Sequence, residues 1–354
     1  MQTNNFPKVT IVTPTFNLIK NKRVEMFDNI IDIVSRQTYP NIEHLIIDGG
    51  STDGTLDILK EKASQKKIYF YSEADSGVYD AFNKGLAKAS GEYIAYMGSD
   101  DVYYNQDSIK LLIDAIVAVQ ADWAYGDTLY QTADNELWFW KGTLNSLPFG
   151  SGPCHQSMLV STAIMKEIGG FELNNAVADI DVMLKLFHKR YPCVYVSEVI
   201  SIFRAGGWST QAGGNLLKES FLKSFYGIFG NELKLSAKEC ESLYAGECFG
   251  ILSAEENIAL GLKLSYPEWV KTFFSRDWCI LKSPNSNIIQ NIPENKKRKF
   301  YFLGCPILKI CQNSDKVEVY LCGLKVFCQK QKLGRISCKV FGIPFLKIKE
   351  KRTF

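Results

Sequence analysis

Leu45-Ile-Ile-Asp-Gly-Gly-Ser-Thr-Asp-Gly-Thr55 reads as an apolar strand that stops at an aspartate, followed by a glycine turn and a helix start. The same alternation extends to both sides. Strands are expected at 9–13, 42–47, 68–71, 93–97 and 123–125, and helices at 29–37, 79–89 and 108–119. Strands separated by helical stretches imply crossover connections, hence an α/β fold with a mainly parallel sheet flanked by helices. Ligands of such sheets bind at the carboxyl ends of the strands, which is where the polar clusters fall.

Beyond Gly142 the pattern loosens. Pro148-Phe-Gly-Ser-Gly-Pro153 leads into a strand-like Gln156-Ser-Met-Leu-Val160, and a helix is expected at 180–188. Gly206-Gly207 and Gly213-Gly214 bracket a loop. Residues 216–274 look mostly helical, and 285–299 is polar like a linker. The expected organisation is a catalytic domain at 1–215, a helical region at 216–290 and a β-rich C-terminal module at 296–354. That module repeats itself: Gly304, Gly323 and Gly342 recur every 19 residues beside similar apolar runs, as in stacked hairpins.

The chain has 354 residues, 46% hydrophobic and 22% charged, a globular composition. Its net charge of +3 is uneven. Residues 296–354 hold 15 Lys and Arg against three Asp and Glu, a net +12, leaving −9 on residues 1–295. A basic tail on an acidic body points to an anionic surface as partner, and no nucleic acid is expected. Residues 1–7 show neither a basic nor an apolar leader segment. With no apolar run of about 18 residues, a spanning helix is not expected. The ten cysteines lack Cys-X-X-Cys pairs, in keeping with reduced thiols in the cytoplasm.

Four acidic positions stand at strand ends or loops. Asp48 closes the second strand, where its carboxylate can accept from a nucleobase N–H or a ribose hydroxyl; spacing alone favours a turn in which Ser51, Thr52 or Asp53 caps the next helix. Asp75 lies between the third strand and a helix, where Gly77 and the first amides can face a phosphate, or where Asp75 or Ser76 simply caps. Gly98-Ser-Asp-Asp101 follows the fourth strand, and its adjacent carboxylates suit Mg²⁺ or Mn²⁺ bridging a diphosphate. Ala178-Asp-Ile-Asp181 opens a helix and offers a general base or a cap.

The order Thr13-Pro-Thr-Phe-Asn17, Asp48 to Thr55, Asp75-Ser-Gly-Val-Tyr-Asp-Ala-Phe-Asn-Lys-Gly85, Gly98 to Asp101, His155-Gln156, Gly169-Gly-Phe171 and Asp179-Ile-Asp181 resembles glycosyltransferase family 2. The resemblance covers roughly residues 8–210. It implies the GT-A nucleotide-diphospho-sugar transferase fold and an inverting transfer from a nucleotide-sugar donor, uridine diphosphate being the usual carrier. It implies that Thr13, Pro14, Thr15 and Asn17 pack under the nucleotide, that Asp48 reads the base, and that Asp75 and Asn83 lie near the nucleoside. Asp100 would hold Mn²⁺ or Mg²⁺ as the last carboxylate of Asp-X-Asp. Asp179 would be the catalytic base, with His155 and Trp208 toward the acceptor or diphosphate.

Three departures stand out: Gly98 replaces the first Asp of Asp-X-Asp, Ala178 replaces the Glu before the base, and Phe82 replaces an Arg before Asn83. The Gln-X-X-Arg-Trp signature of processive synthases is missing, which implies addition of one or a few sugars. The tail resembles those of some bacterial surface-polysaccharide transferases, whose acceptors are saccharides or lipid-linked saccharides. That implies a cytoplasmic protein, peripheral on the inner face of the membrane. A nucleotidyltransferase on the same sheet and a non-catalytic nucleotide- or glycan-binding descendant stay open.

Overall fold

The computed structural model describes residues 6–243, except 142–143, 145–146, 148–149, 151, 208–213 and 231–233, together with six strands between 296 and 349. The N-terminal part begins with β1 (Val9–Thr15), α1 (Val24–Ser35), β2 (Ile42–Asp48), α2 (Thr55–Ser64), β3 (Tyr69–Ser72), α3 (Val78–Lys88) and β4 (Tyr93–Tyr96). It continues through β5 (Val102–Tyr103), α4 (Ser108–Val119), β6 (Trp123–Gln131), β7 (Leu137–Trp140), β8 (Met158–Ser161), α5 (Thr162–Glu167), α6 (Ala178–His188), β9 (Cys193–Arg204) and α7 (Gly214–Phe225).

These nine strands form one sheet in the order β3-β2-β1-β4-β8-β6-β9-β5, with β7 paired to β6. β3, β2, β1 and β4 run parallel, joined by crossover helices as expected. The other half departs from the expected mainly parallel sheet. β8 is antiparallel to both β4 and β6, β5 is antiparallel to β9 and β7 to β6, and β6 with β9 is parallel. The sheet is therefore mixed. β8 inserts between β4 and β6 and runs against both.

Both faces of the sheet are covered. Neighbouring residues of one strand point to opposite sides. Val12 and Ile47 join Phe82, Leu86, Val182 and Leu186 in one core cluster. Ile11 and Ile46 join Phe27, Ile30, Leu112 and Ile113 in the other. Burial on both faces explains why β1 and β2 read as near-continuous apolar runs. Phe221 and Phe225 of α7, from the expected helical region, enter the same cluster as α6.

α3 is tied to the loop before α6 by an amide pair: Asn83 Nδ2 donates to the Phe171 carbonyl at 2.7 Å, and the Phe171 amide donates to Asn83 Oδ1 at 2.8 Å. Gly170 makes this possible. Its φ of +65° is left-handed, and a Cβ there would lie 2.4 Å from Asn83 Oδ1.

Beyond residue 295, β10 (Lys296–Phe302), β11 (Cys305–Asn313), β12 (Lys316–Leu321) and β13 (Leu324–Gln329) pair in an antiparallel sheet. β14 (Arg335–Val340) and β15 (Ile343–Lys349) form a hairpin. β10 takes in the last four residues of the expected linker. The closing pairs Phe302–Cys305, Leu321–Leu324 and Val340–Ile343 follow the 19-residue period.

Candidate functional site

A cleft of about 800 Å³ opens where β1 and β4 end. The chain passes from β1 to β2 and β3 on one side and returns to β4 on the other, so this is a crevice of reversed strand order, the place where open α/β sheets bind ligands. Pro14, Thr15, Asp75, Asp100, His155 and Asp179 all line it, together with Arg23 and Tyr79. Trp140 of β7, Phe203 of β9 and Leu217 of α7 line it as well.

Asp179 sits in the first turn of α6. It does not cap the helix. Its Oδ1 accepts from the Tyr79 hydroxyl at 3.2 Å and the Ile180 amide at 3.0 Å, while His155 Nδ1 lies 3.1 Å from Oδ2. Burial pushes the carboxyl upward, but the His155 bond and charge, the Ile180 amide and the Tyr79 hydroxyl together hold it below the ordinary aspartate value. Asp179 is thus ionised at neutral pH and able to take a proton. Asp181, two residues on, is buried and pairs with Lys185 at 2.7 Å.

The two carboxylates after β4 divide their tasks. Asp100 faces the cleft, with Oδ2 3.1 Å from Arg23 Nη1. Asp101 is 3% exposed; Oδ2 accepts from Gln156 Nε2 at 2.8 Å and Oδ1 from the Arg204 amide at 2.9 Å. Burial and the neighbouring Asp100 push Asp101 up to about 7. Gly98 has a structural reason: a Cβ there would lie 2.8 Å from both Asp100 Oδ1 and Asp101 Oδ2.

Among the described residues no group of three His, Cys, Asp or Glu gathers to hold a metal. The donor chemistry still fits a hard divalent cation. Asp100 presents carboxylate oxygen to a roomy cleft, and Mg²⁺-type sites at phosphates use one or two carboxylates, completing the shell with phosphate and water.

Four expected residues stay out of the cleft lining. Asp48 is fully buried, and its oxygens accept from the Gly50 and Ser51 amides and the Ser51, Ser72 and Thr15 hydroxyls. With so many internal donors it organises the turn after β2. Asn17, at φ +48°, accepts from the Thr52 amide at 3.1 Å and braces the same turn. Thr13 Oγ1 lies 3.0 Å from His44 Nε2 in the core, where burial holds His44 down at about 3 and hence neutral. Asn83 ties α3 to Phe171, as described above. Asp75 does line the cleft; burial raises its carboxyl although the Gly77 amide donates to it at 3.0 Å. Trp208 lies outside the described residues.

Sequence reasoning missed Arg23, Tyr79 and Trp140. Tyr79 stood inside a motif already noted, one helical turn before Asn83. Trp140 belongs to Leu137-Trp-Phe-Trp140, whose four side chains are all exposed, an unusual density of aromatic surface. Nothing local to the sequence distinguishes Arg23.

Residues 10–180 match the family model described as glycosyl transferase family 2. A PGL/p-HBAD biosynthesis glycosyltransferase of Mycobacterium bovis BCG is 31% identical over 185 residues, covering 51% of this chain and 70% of that one. The putative teichuronic acid biosynthesis glycosyltransferase TuaG of Bacillus subtilis is 38% identical over 101 residues, 28% of this chain and 38% of TuaG. Among solved structures, S. aureus TarS 1-349 in complex with UDP-GlcNAc aligns with a TM-score of 0.52 at 16% identity, over 75% of this chain and 83% of that one. The chain spans half of a longer TarS chain. At that identity the likeness is one of fold.

Proposed function

The chain belongs to glycosyl transferase family 2, and on that premise we propose that it moves one sugar, or a few, from a nucleotide-sugar donor to a saccharide or lipid-linked acceptor, with inversion, in the synthesis of a bacterial surface glycan. The observation that carries this reading is Asp179: an ionised carboxylate, oriented by His155 and Tyr79, in one cleft with Asp75 and Asp100.

The donor's nucleoside lies against Pro14, Thr15 and Asp75 at the ends of the parallel strands. With Asp48 occupied by its own turn, Thr15 and Asp75 are left to meet the base and ribose. Asp179 takes the proton of the acceptor hydroxyl as its oxygen attacks the anomeric carbon, and the bond to the diphosphate oxygen breaks on the opposite face. His155 holds Asp179 in place. A divalent cation on Asp100, Mn²⁺ or Mg²⁺, would neutralise the charge developing on the diphosphate. The acceptor enters along the wall of Trp140, Phe203 and Leu217.

UDP-linked sugars are the first donors to try, since the TarS structure with this fold holds UDP-GlcNAc. Incubating the protein with a panel of UDP-, GDP- and dTDP-sugars and scoring nucleoside diphosphate release tests the reading. Release of pyrophosphate instead would make it a nucleotidyltransferase, and no release from any donor would leave a binding protein.

The basic module beyond residue 295 serves as a docking element for an anionic membrane face. Its net +12 supports this, at about 1 kcal/mol for each basic residue near an anionic leaflet. No helix among the described residues is long and apolar enough to cross a membrane. Truncation after Asn295 is expected to keep turnover on a soluble acceptor and to abolish sedimentation with anionic vesicles. Vesicle binding that survives truncation would refute the docking role.

A further inference from the structure

A nucleoside diphosphate must bring its negative charge into a cleft already lined by Asp75, Asp100, Asp101 and Asp179. Among the described residues that line it, Arg23 alone is a lysine or arginine. Arg204, the other guanidinium near the strand end, is committed behind the loop: Nη1 donates to the Asp100 carbonyl at 3.1 Å and Nε to Gln131 Oε1 at 3.0 Å.

Arg23 sits at the start of α1, beyond the loop that follows β1. Its Nη1 pairs with Asp100 Oδ2 at 3.1 Å, and its Nη2 donates weakly to the Gly206 carbonyl at 3.4 Å. The side chain is about one-third exposed, so turning it costs little burial. It makes no side-chain cap for α1. Asp100 is also the oxygen donor best placed for a cation, so Arg23 occupies in the free protein the charge position a cation would take. Gly98 sharpens the point, because no second carboxylate at that position competes for either.

We propose that Arg23 is a diphosphate-binding residue, parked on Asp100 in the free protein and handed to the donor's phosphates when a divalent cation claims Asp100. The inference rests on the reading of the cleft as a donor site. A planar guanidinium offers paired donors to phosphate oxygens, a geometry a lysine ammonium does not reproduce. The exchange would keep charge balanced: Asp100 would pair with the cation in place of Arg23, and Arg23 with the phosphates in place of Asp100.

The test is calorimetric titration of the full chain with UDP, with UMP, and with MnCl₂ alone, for wild type, Arg23→Ala, Arg23→Gln and Arg23→Lys. In Mn²⁺, UDP affinity is expected to fall about 10–100-fold in the Ala and Gln variants, with partial recovery in the Lys variant and a smaller change for UMP. Mn²⁺ alone is expected to bind Arg23→Ala more tightly than wild type, because Asp100 is released. UDP affinity within twofold of wild type in both neutral variants would overturn the proposal, as would Mn²⁺ binding that Arg23→Ala does not strengthen. The donor-cleft reading fails differently: wild type would then bind none of UDP, GDP and dTDP. A melting curve for each variant separates these outcomes from unfolding, and Arg23→Lys keeps the charge should a neutral variant fail to fold.

Discussion

Replacing Asp179 by asparagine is expected to leave nucleoside diphosphate affinity within about twofold and to cut turnover by about 10²–10⁴-fold, the usual cost of a lost general base. Asparagine keeps the oxygen that accepts from Tyr79 and Ile180, so the start of α6 is preserved. Its nitrogen cannot accept the acceptor's proton. It also places an N–H donor opposite His155 Nδ1 at the position of Oδ2, so the contact that orients the carboxylate in the wild type is lost unless Nδ1 becomes the acceptor, a change visible by NMR.

The pH dependence follows from the direction of the Asp179 shift. A base works only when unprotonated, and this carboxyl is held below the ordinary value. Turnover of the wild type is therefore expected to persist as pH falls to the ordinary aspartate range and to drop only below it, as far as Asp179 sets it. The same lowering adds stability above the unfolded-state pKa, lost as pH falls through the folded one. In the variant both dependences should disappear. Weakened donor binding with a normal rate constant would instead make Asp179 a binding residue.

β1 and β2 were legible because each is a short apolar run followed by a helix, buried on both faces. The antiparallel half was not. β5 and β7 are short, and β9 loses its alternation where the register slips opposite Gly126, Asp127 and Thr128. The insertion of β8 between β4 and β6 leaves no trace in periodicity, since partners as distant as Tyr93 and Ser161, or Tyr125 and Met158, carry no local pattern.

At the site, an aspartate at a strand end looks the same whether it meets a ligand or its own turn. Asp75, Asp100 and Asp179 face the cleft, and Asp48 turns inward because Gly50, Ser51 and Ser72 surround it with donors. Both readings of Asp48 are compatible with Asp-Gly-Gly-Ser. Arg23 was invisible for the opposite reason. It is one of 41 Lys and Arg, and what singles it out is the carboxylate 77 positions away.

Asp100→Ala is expected to remove the dependence on Mn²⁺ or Mg²⁺ and to lower turnover by about 10²–10³-fold, the scale of losing one preorganised charge stabiliser at a leaving group. No neighbour can substitute. Asp101 is 3% exposed, and both its oxygens are engaged by Gln156 and Arg204. Burial and the neighbouring Asp100 raise its carboxyl, so a second anion beside Asp100 is disfavoured. A Cβ at position 98 would press on the side-chain ends of both aspartates, so one of them would have to shift. The fold should survive, because the Asp100–Arg23 pair lies near the surface, where such pairs contribute at most about 1 kcal/mol. Rate and donor affinity measured in Mn²⁺, in Mg²⁺ and in EDTA decide the matter, with Asp100→Asn as a size-matched control. Full wild-type activity in EDTA would show that Arg23 suffices for the leaving group; full activity of both variants would remove Asp100 from the chemistry altogether.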